Sequence, residues 1–140
     1  MGKETREIDF TIDEIGQAAR EFLQHTGKDR IFLFEGEMGA GKNTFIAEIC
    51  RQMGVKDDCG SPTFSLVNEY LDASGNPIYH FDFYRVESAR EAFEIGADDY
   101  FTSGNLCFVE WPDRLGDFTP EGSRIVKISV SDNGKRKIIF

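Results

Sequence analysis

The feature that most constrains what this chain can fold into is a glycine loop set between an apolar run and an amphipathic segment. Ile31-Phe32-Leu33-Phe34 shows no polar alternation, the pattern of a strand buried on both faces. Gly36-Glu37-Met38-Gly39-Ala40-Gly41-Lys42-Asn43-Thr44 follows it, and Phe45, Ile46, Ile49, Cys50 and Met53 then share one face of a helix ending at Gly54. Phosphate binding calls for this order. Glycines allow backbone N–H groups to wrap around the oxygens, the helix N-terminus adds partial positive charge, and a lysine placed as Lys42 neutralises the outer phosphates. A glycine-rich turn with a solvated lysine needs neither flanking element, yet both are present around a GxxxxGK spacing.

One position departs from the pattern. The residue after the P-loop lysine is ordinarily Ser or Thr, whose hydroxyl reaches Mg2+, and here it is Asn43. Thr44 lies one step further round the helix, so its hydroxyl points elsewhere. An amide oxygen can ligate Mg2+, but the group is neutral, bulkier and carries an NH2. The expectation is weakened Mg2+ coordination.

Strand and helix patterns alternate along the rest of the chain. They predict an α/β fold with a mixed central sheet flanked by helices, in one P-loop NTPase-like domain over residues 1–140. Thr11 and Glu14 form a capping box ahead of a helix carrying Ile15, Ala18, Ala19, Phe22 and Leu23, which stops near Gly27. Strands near 63–71 and 77–83 flank the turn Asp72-Ala73-Ser74-Gly75-Asn76, and Ser88 with Glu91 opens a short helix closed at Gly96. Leu106-Cys107-Phe108-Val109 is a second buried strand, and strands near 125–130 and 136–140 flank the hairpin signal Asn133-Gly134.

Two carboxylates end strands, where the crevice of an open α/β sheet takes its ligands. Glu110 ends the second buried strand and is a candidate Mg2+ ligand beside Asn43, and a catalytic candidate with Lys42. Asp82, in His80-Phe81-Asp82-Phe83-Tyr84-Arg85, can position an attacking water, hold Mg2+ through water, or pair with Arg85. Alternation sets His80, Asp82 and Tyr84 on one face, and His80 by itself reads as packed or hydrogen-bonded rather than catalytic. Gly60-Ser61-Pro62-Thr63 falls where a γ-phosphate-sensing loop would lie, and a plain turn explains it equally well. Trp111, the one tryptophan, either packs in the core or contacts a nucleotide or partner.

Composition narrows the partners. With 16 basic against 25 acidic residues the net charge is −9, which disfavours autonomous nucleic-acid binding. The three cysteines include no CxxC pair, which argues against a zinc site or a disulfide framework. No apolar run approaches the roughly 20 residues a membrane helix needs, and Met1-Gly2-Lys3-Glu4 lacks a secretory pattern, so a cytoplasmic protein without membrane contact is expected.

Taken together, these blocks resemble the TsaE (YjeE) family, small P-loop ATPases of bacterial tRNA threonylcarbamoyladenosine synthesis. The resemblance runs over nearly the whole chain. It rests on residues 36–44, on Ser61-Pro62-Thr63-Phe64 with Leu66-Val67-Asn68-Glu69-Tyr70, on residues 80–85, and on Val109-Glu110-Trp111-Pro112. It implies ATP binding and slow hydrolysis by a protein that assists TsaB and TsaD, with tRNA met only indirectly through that complex. It also implies that Gly39, Ala40, Gly41, Lys42, Asn43 and Thr44 hold ATP or ADP, that Asn43 and Glu110 hold Mg2+, and that Asp82 is required for hydrolysis. Trp111 would lie beside the nucleotide. Thr11 and Gly134 are weaker candidates for adenine or ribose contacts, because capping and turn formation already account for them. Two other readings stay open: a nucleotide-gated binding module with little turnover, and a small-molecule kinase, against which stands the lack of an arginine-rich lid. No guanine-reading Asn-Lys-x-Asp motif is present.

Overall fold

The computed structural model describes residues 5–56 and 66–140. Its strands are β1 (Glu7–Phe10), β2 (Ile31–Glu35), β3 (Val67–Leu71), β4 (Pro77–Asp82), β5 (Leu106–Glu110), β6 (Arg124–Val130) and β7 (Arg136–Ile139). The helices are α1 (Ile15–His25), α2 (Lys42–Gln52), α3 (Ala89–Glu94) and α4 (Ala97–Phe101), with 3-10 segments at Ile12–Glu14 and Pro112–Phe118. One sheet holds all seven strands in the order β1-β7-β6-β2-β5-β4-β3.

The apolar run of β2 is explained by its place at the centre, parallel to β5 on one side and β6 on the other. Both of its faces are covered. Phe32 and Phe34 join Phe108 and Val126 beneath α1 and α2, against Phe22, Phe45, Ile46 and Ile49. Ile31 and Leu33 join Phe81, Cys107 and Val109 on the other face, against Ala92, Ala97 and Leu115. Phe22 is the hub of the first layer, with ring centroids 5.1 Å from Phe32, 5.5 Å from Phe45 and 5.0 Å from Phe140. Such ring pairs add about 0.5–1.5 kcal/mol each beyond area burial, so the layer holding α2 on the sheet is firmly set.

Strands β2, β4, β5 and β6 run in one direction, and the antiparallel β7 begins, and β1 ends, at the edge where those four finish. That edge receives the glycine loop. β1 lies beyond the strands the sequence predicts: only Ile8 and Phe10 alternate there, and β7 completes the pattern by pairing. The helix predicted to close at Gly96 does end there, but Gly96, at φ 83°, also caps α4. Among the described residues no helix is long and apolar enough to cross a membrane.

Candidate functional site

The loop leaves β2 pressed against β6. A β-carbon at Gly36 would lie 2.6 Å from the Ile128 carbonyl oxygen, a backbone atom that cannot swing aside, so this position admits only glycine. The Ala40 N–H donates to the Glu37 carbonyl at 3.0 Å and closes the turn. Gly41, at φ 102°, caps α2, and the Phe45 N–H donates to its carbonyl at 3.0 Å as the first helical bond. The N–H groups of the preceding turn therefore have no acceptor within the helix, and they gather where the macrodipole is positive.

Lys42 opens α2 and is only 5% exposed. Its Nζ donates to the Gly36 carbonyl at 2.6 Å, spanning the loop, and stands 3.8 Å from the centroid of the Trp111 ring. Burial pushes the ammonium below its usual range, and the carboxylates of Glu110, Asp82 and Asp113 oppose that shift. Asn43 is half-buried in the same turn and Thr44 is exposed.

Strand alternation brings the carboxylates to the same layer. His80 and Asp82 on β4 point with Glu110 of β5 toward the α2 side, and Asp82 is in register with Glu110. Glu110 is 4% exposed and His80 fully buried, with Nε2 of the ring 2.7 Å from Oε2 of the carboxylate. Asp82 is half-buried, and its Oδ1 accepts the Tyr84 N–H at 3.0 Å. Of the two sequence readings of Trp111, the structure bears on the packing one. It packs against the layer containing Val109 and Leu115, while its ring faces Lys42 and lies 5.1 Å from Tyr84. Its φ of 57° makes it the sole non-glycine residue with a positive φ among those described.

Thr11 and Gly134 reach the same edge from the other flank, since Thr11 follows the last residue of β1 and Gly134 precedes β7. The Glu14 carboxylate accepts both the N–H and the hydroxyl of Thr11, at 2.9 and 3.2 Å, which is the predicted capping role. Gly134, at φ 81°, makes the predicted turn. Ser61, Thr63 and Cys59 lie outside the described residues. Two participants were not legible in sequence: the His80 bond to Glu110, and Arg136, whose Nη1 donates to the Ala40 carbonyl at 2.7 Å. Period-two spacing gives the first its face but not its partner. For the second, an arginine at the start of a strand carries no signal.

The donor set suits a phosphate chain, with backbone N–H groups and one cation at a helix start. Mg2+ is ordinarily held by one or two protein oxygens with phosphate and water completing the shell, and the carboxylates of Glu110 and Asp82 stand near enough to the Lys42 ammonium to act on its charge. A buried parallel strand, glycine loop and helix in an open mixed sheet define a P-loop NTPase-like α/β protein. Comparison with known proteins is more specific. The family described as "Threonylcarbamoyl adenosine biosynthesis protein TsaE" matches residues 11–138. Proteins named tRNA threonylcarbamoyladenosine biosynthesis protein TsaE are similar in Haemophilus influenzae (33% identity, 91% of this chain and 81% of that one) and in Bacillus subtilis (34%, 79% and 68%). The crystal structure of Bacillus subtilis YdiB superposes with a TM-score of 0.77 at 25% identity, over 100% of this chain and 86% of that one. The chain belongs to the TsaE family.

Proposed function

We propose that this chain binds ATP and ADP through residues 39–44, hydrolyses ATP slowly with Mg2+, and by that cycle supports TsaB and TsaD in forming threonylcarbamoyladenosine next to the anticodon. One observation carries the nucleotide reading. The Lys42 ammonium is drawn out of water to the mouth of a glycine loop, bonded to a single loop carbonyl and faced by strand-end carboxylates. A phosphate chain there would replace the carbonyl as its partner.

In this reading the loop N–H groups and Lys42 bind the phosphates. Asn43 and Glu110 would hold Mg2+, which when bound neutralises phosphate charge and polarises the transferred group. His80 fixes the Glu110 carboxylate through Oε2. Asp82 orients the attacking water, its own carboxylate steadied by the Tyr84 N–H. Trp111 shields Lys42 from solvent. The net charge of −9 favours a role in which tRNA is met through partner proteins.

Calorimetric titration with ADP and ATP, each with and without Mg2+ and with GTP as control, tests the reading. Saturable adenine-nucleotide binding that depends little on Mg2+ is expected. Absence of binding to every nucleotide would overturn it. Turnover measured with TsaB and TsaD present then separates an ATPase cycle from a switch that only binds.

A further inference from the structure

Arg136 opens β7, opposite Phe10 of β1 and Val130 of β6. Alternation puts it on the same face as buried Ile138, beneath α1 and α2. From there its guanidinium crosses to the glycine loop, where Nη1 donates to the Ala40 carbonyl at 2.7 Å. A β-carbon at Gly41 would meet that same nitrogen, so the guanidinium lies directly against the loop backbone there. Its Nε is buried without a hydrogen-bond partner among the described residues. That desolvation is unfavourable, and an apolar side chain would fill the strand position without it.

Two consequences follow from the Ala40 bond. The peptide joining Ala40 to Gly41 is planar and trans, so a carbonyl turned toward Arg136 leaves the Gly41 N–H facing the other way. The Ala40 carbonyl is also the acceptor that a helix extended by one residue would give to the Thr44 N–H. With Arg136 on that carbonyl, helical bonding starts at Phe45 instead. We infer that Arg136 is a positioning residue that braces the loop from outside, holding the Gly41 and Thr44 N–H groups toward the phosphates of a nucleoside di- or triphosphate. This rests on the nucleotide-binding reading above and assigns the geometry of that site to a strand distant in sequence.

The test compares the unaltered chain with Arg136→Met, which keeps the stem, and Arg136→Lys, which keeps the charge. ADP affinity without Mg2+ is measured together with amide hydrogen exchange at Ala40 and Phe45. Arg136→Met should weaken ADP binding by about tenfold or more, the loss expected of one charge-assisted hydrogen bond, and Arg136→Lys should fall between. Exchange should quicken at Ala40 and Phe45 and stay unchanged in β2 and β5. Unaltered ADP affinity in Arg136→Met overturns the inference, as does faster exchange spread through the whole sheet, which would mark a merely structural strand residue. If the unaltered chain binds no ADP, the proposed function fails, and the brace stands or falls on exchange alone: quickened at Ala40 and Phe45, it holds; unchanged there, it does not.

Discussion

His80 and Glu110, on neighbouring parallel strands, meet through Nε2 and Oε2 at 2.7 Å with both side chains buried. The ring fixes which way the carboxylate faces and satisfies one of its oxygens. His80→Leu strips that partner from a buried carboxylate and should destabilise the fold by about 3 kcal/mol. Urea unfolding of this variant, Glu110→Gln and the double variant should give a coupling of about 1–3 kcal/mol; additive effects would mean that the contact contributes nothing. Mg2+ affinity of the ADP complex should also fall about 10- to 100-fold in His80→Leu, while ADP affinity in the presence of a chelator stays put.

In the proposed reading, Lys42 is placed for binding rather than for folding. Burial disfavours its charge, one carbonyl and three carboxylates partly offset this, and Met can occupy the same stem. Lys42→Met should therefore change stability by less than about 1–2 kcal/mol, while ADP binding falls below detection in calorimetry. The pH dependence has a definite sign. With its pKa below the usual 10.5 in the folded state, Lys42 releases its proton before the unfolded chain does, so its contribution to stability rises as pH climbs toward 10.5. Unfolding curves from neutral to alkaline pH should lose that rise in Lys42→Met.

What could be read from sequence was what local pattern encodes. Continuous apolarity placed β2 and β5 in the sheet interior, glycine spacing placed the loop, and the Thr11 and Gly134 turns followed from capping and hairpin chemistry. Contacts between distant strands were not encoded this way. Arg136 and Ala40 are 96 residues apart, and His80 and Glu110 are 30 apart. Each meeting depends on strand order, with β7 brought to the loop edge by antiparallel pairing with β6 and β4 set beside β5. β1 was missed for the same reason: a four-residue strand has too few alternations to register until its partner is known.

Cys107 is fully buried on β5, and burial pushes its thiol up to about 12 from 9.0. At pH 8 the thiolate is then about one part in ten thousand, against about one in ten for the ordinary value. Alkylation mapped by mass spectrometry should leave Cys107 unmodified in the native protein and modify it once urea unfolds the chain. Labelling of Cys107 under native conditions would mean that β5 opens. Because the unfolded thiol ionises first, this group also makes stability fall as pH rises above 9.0.

In the proposed ATPase reading, Asn43 should limit the rate of hydrolysis. It follows Lys42 in α2, the position where a P-loop hydroxyl would meet Mg2+. In the proposed reading, a bulkier amide there would weaken a metal contact that matters most as charge develops on the transferred phosphoryl group. Asn43→Thr should raise Mg2+-dependent ATP hydrolysis about 30- to 1000-fold, which corresponds to about 2–4 kcal/mol in the barrier. ADP binding without Mg2+ should hardly change, because the loop amides and Lys42 are untouched. Steady-state phosphate release across a Mg2+ titration separates the two quantities. A higher rate with a lower Mg2+ requirement assigns the defect to metal coordination, whereas an unchanged rate and Mg2+ dependence would show that slow turnover has its origin elsewhere in the site.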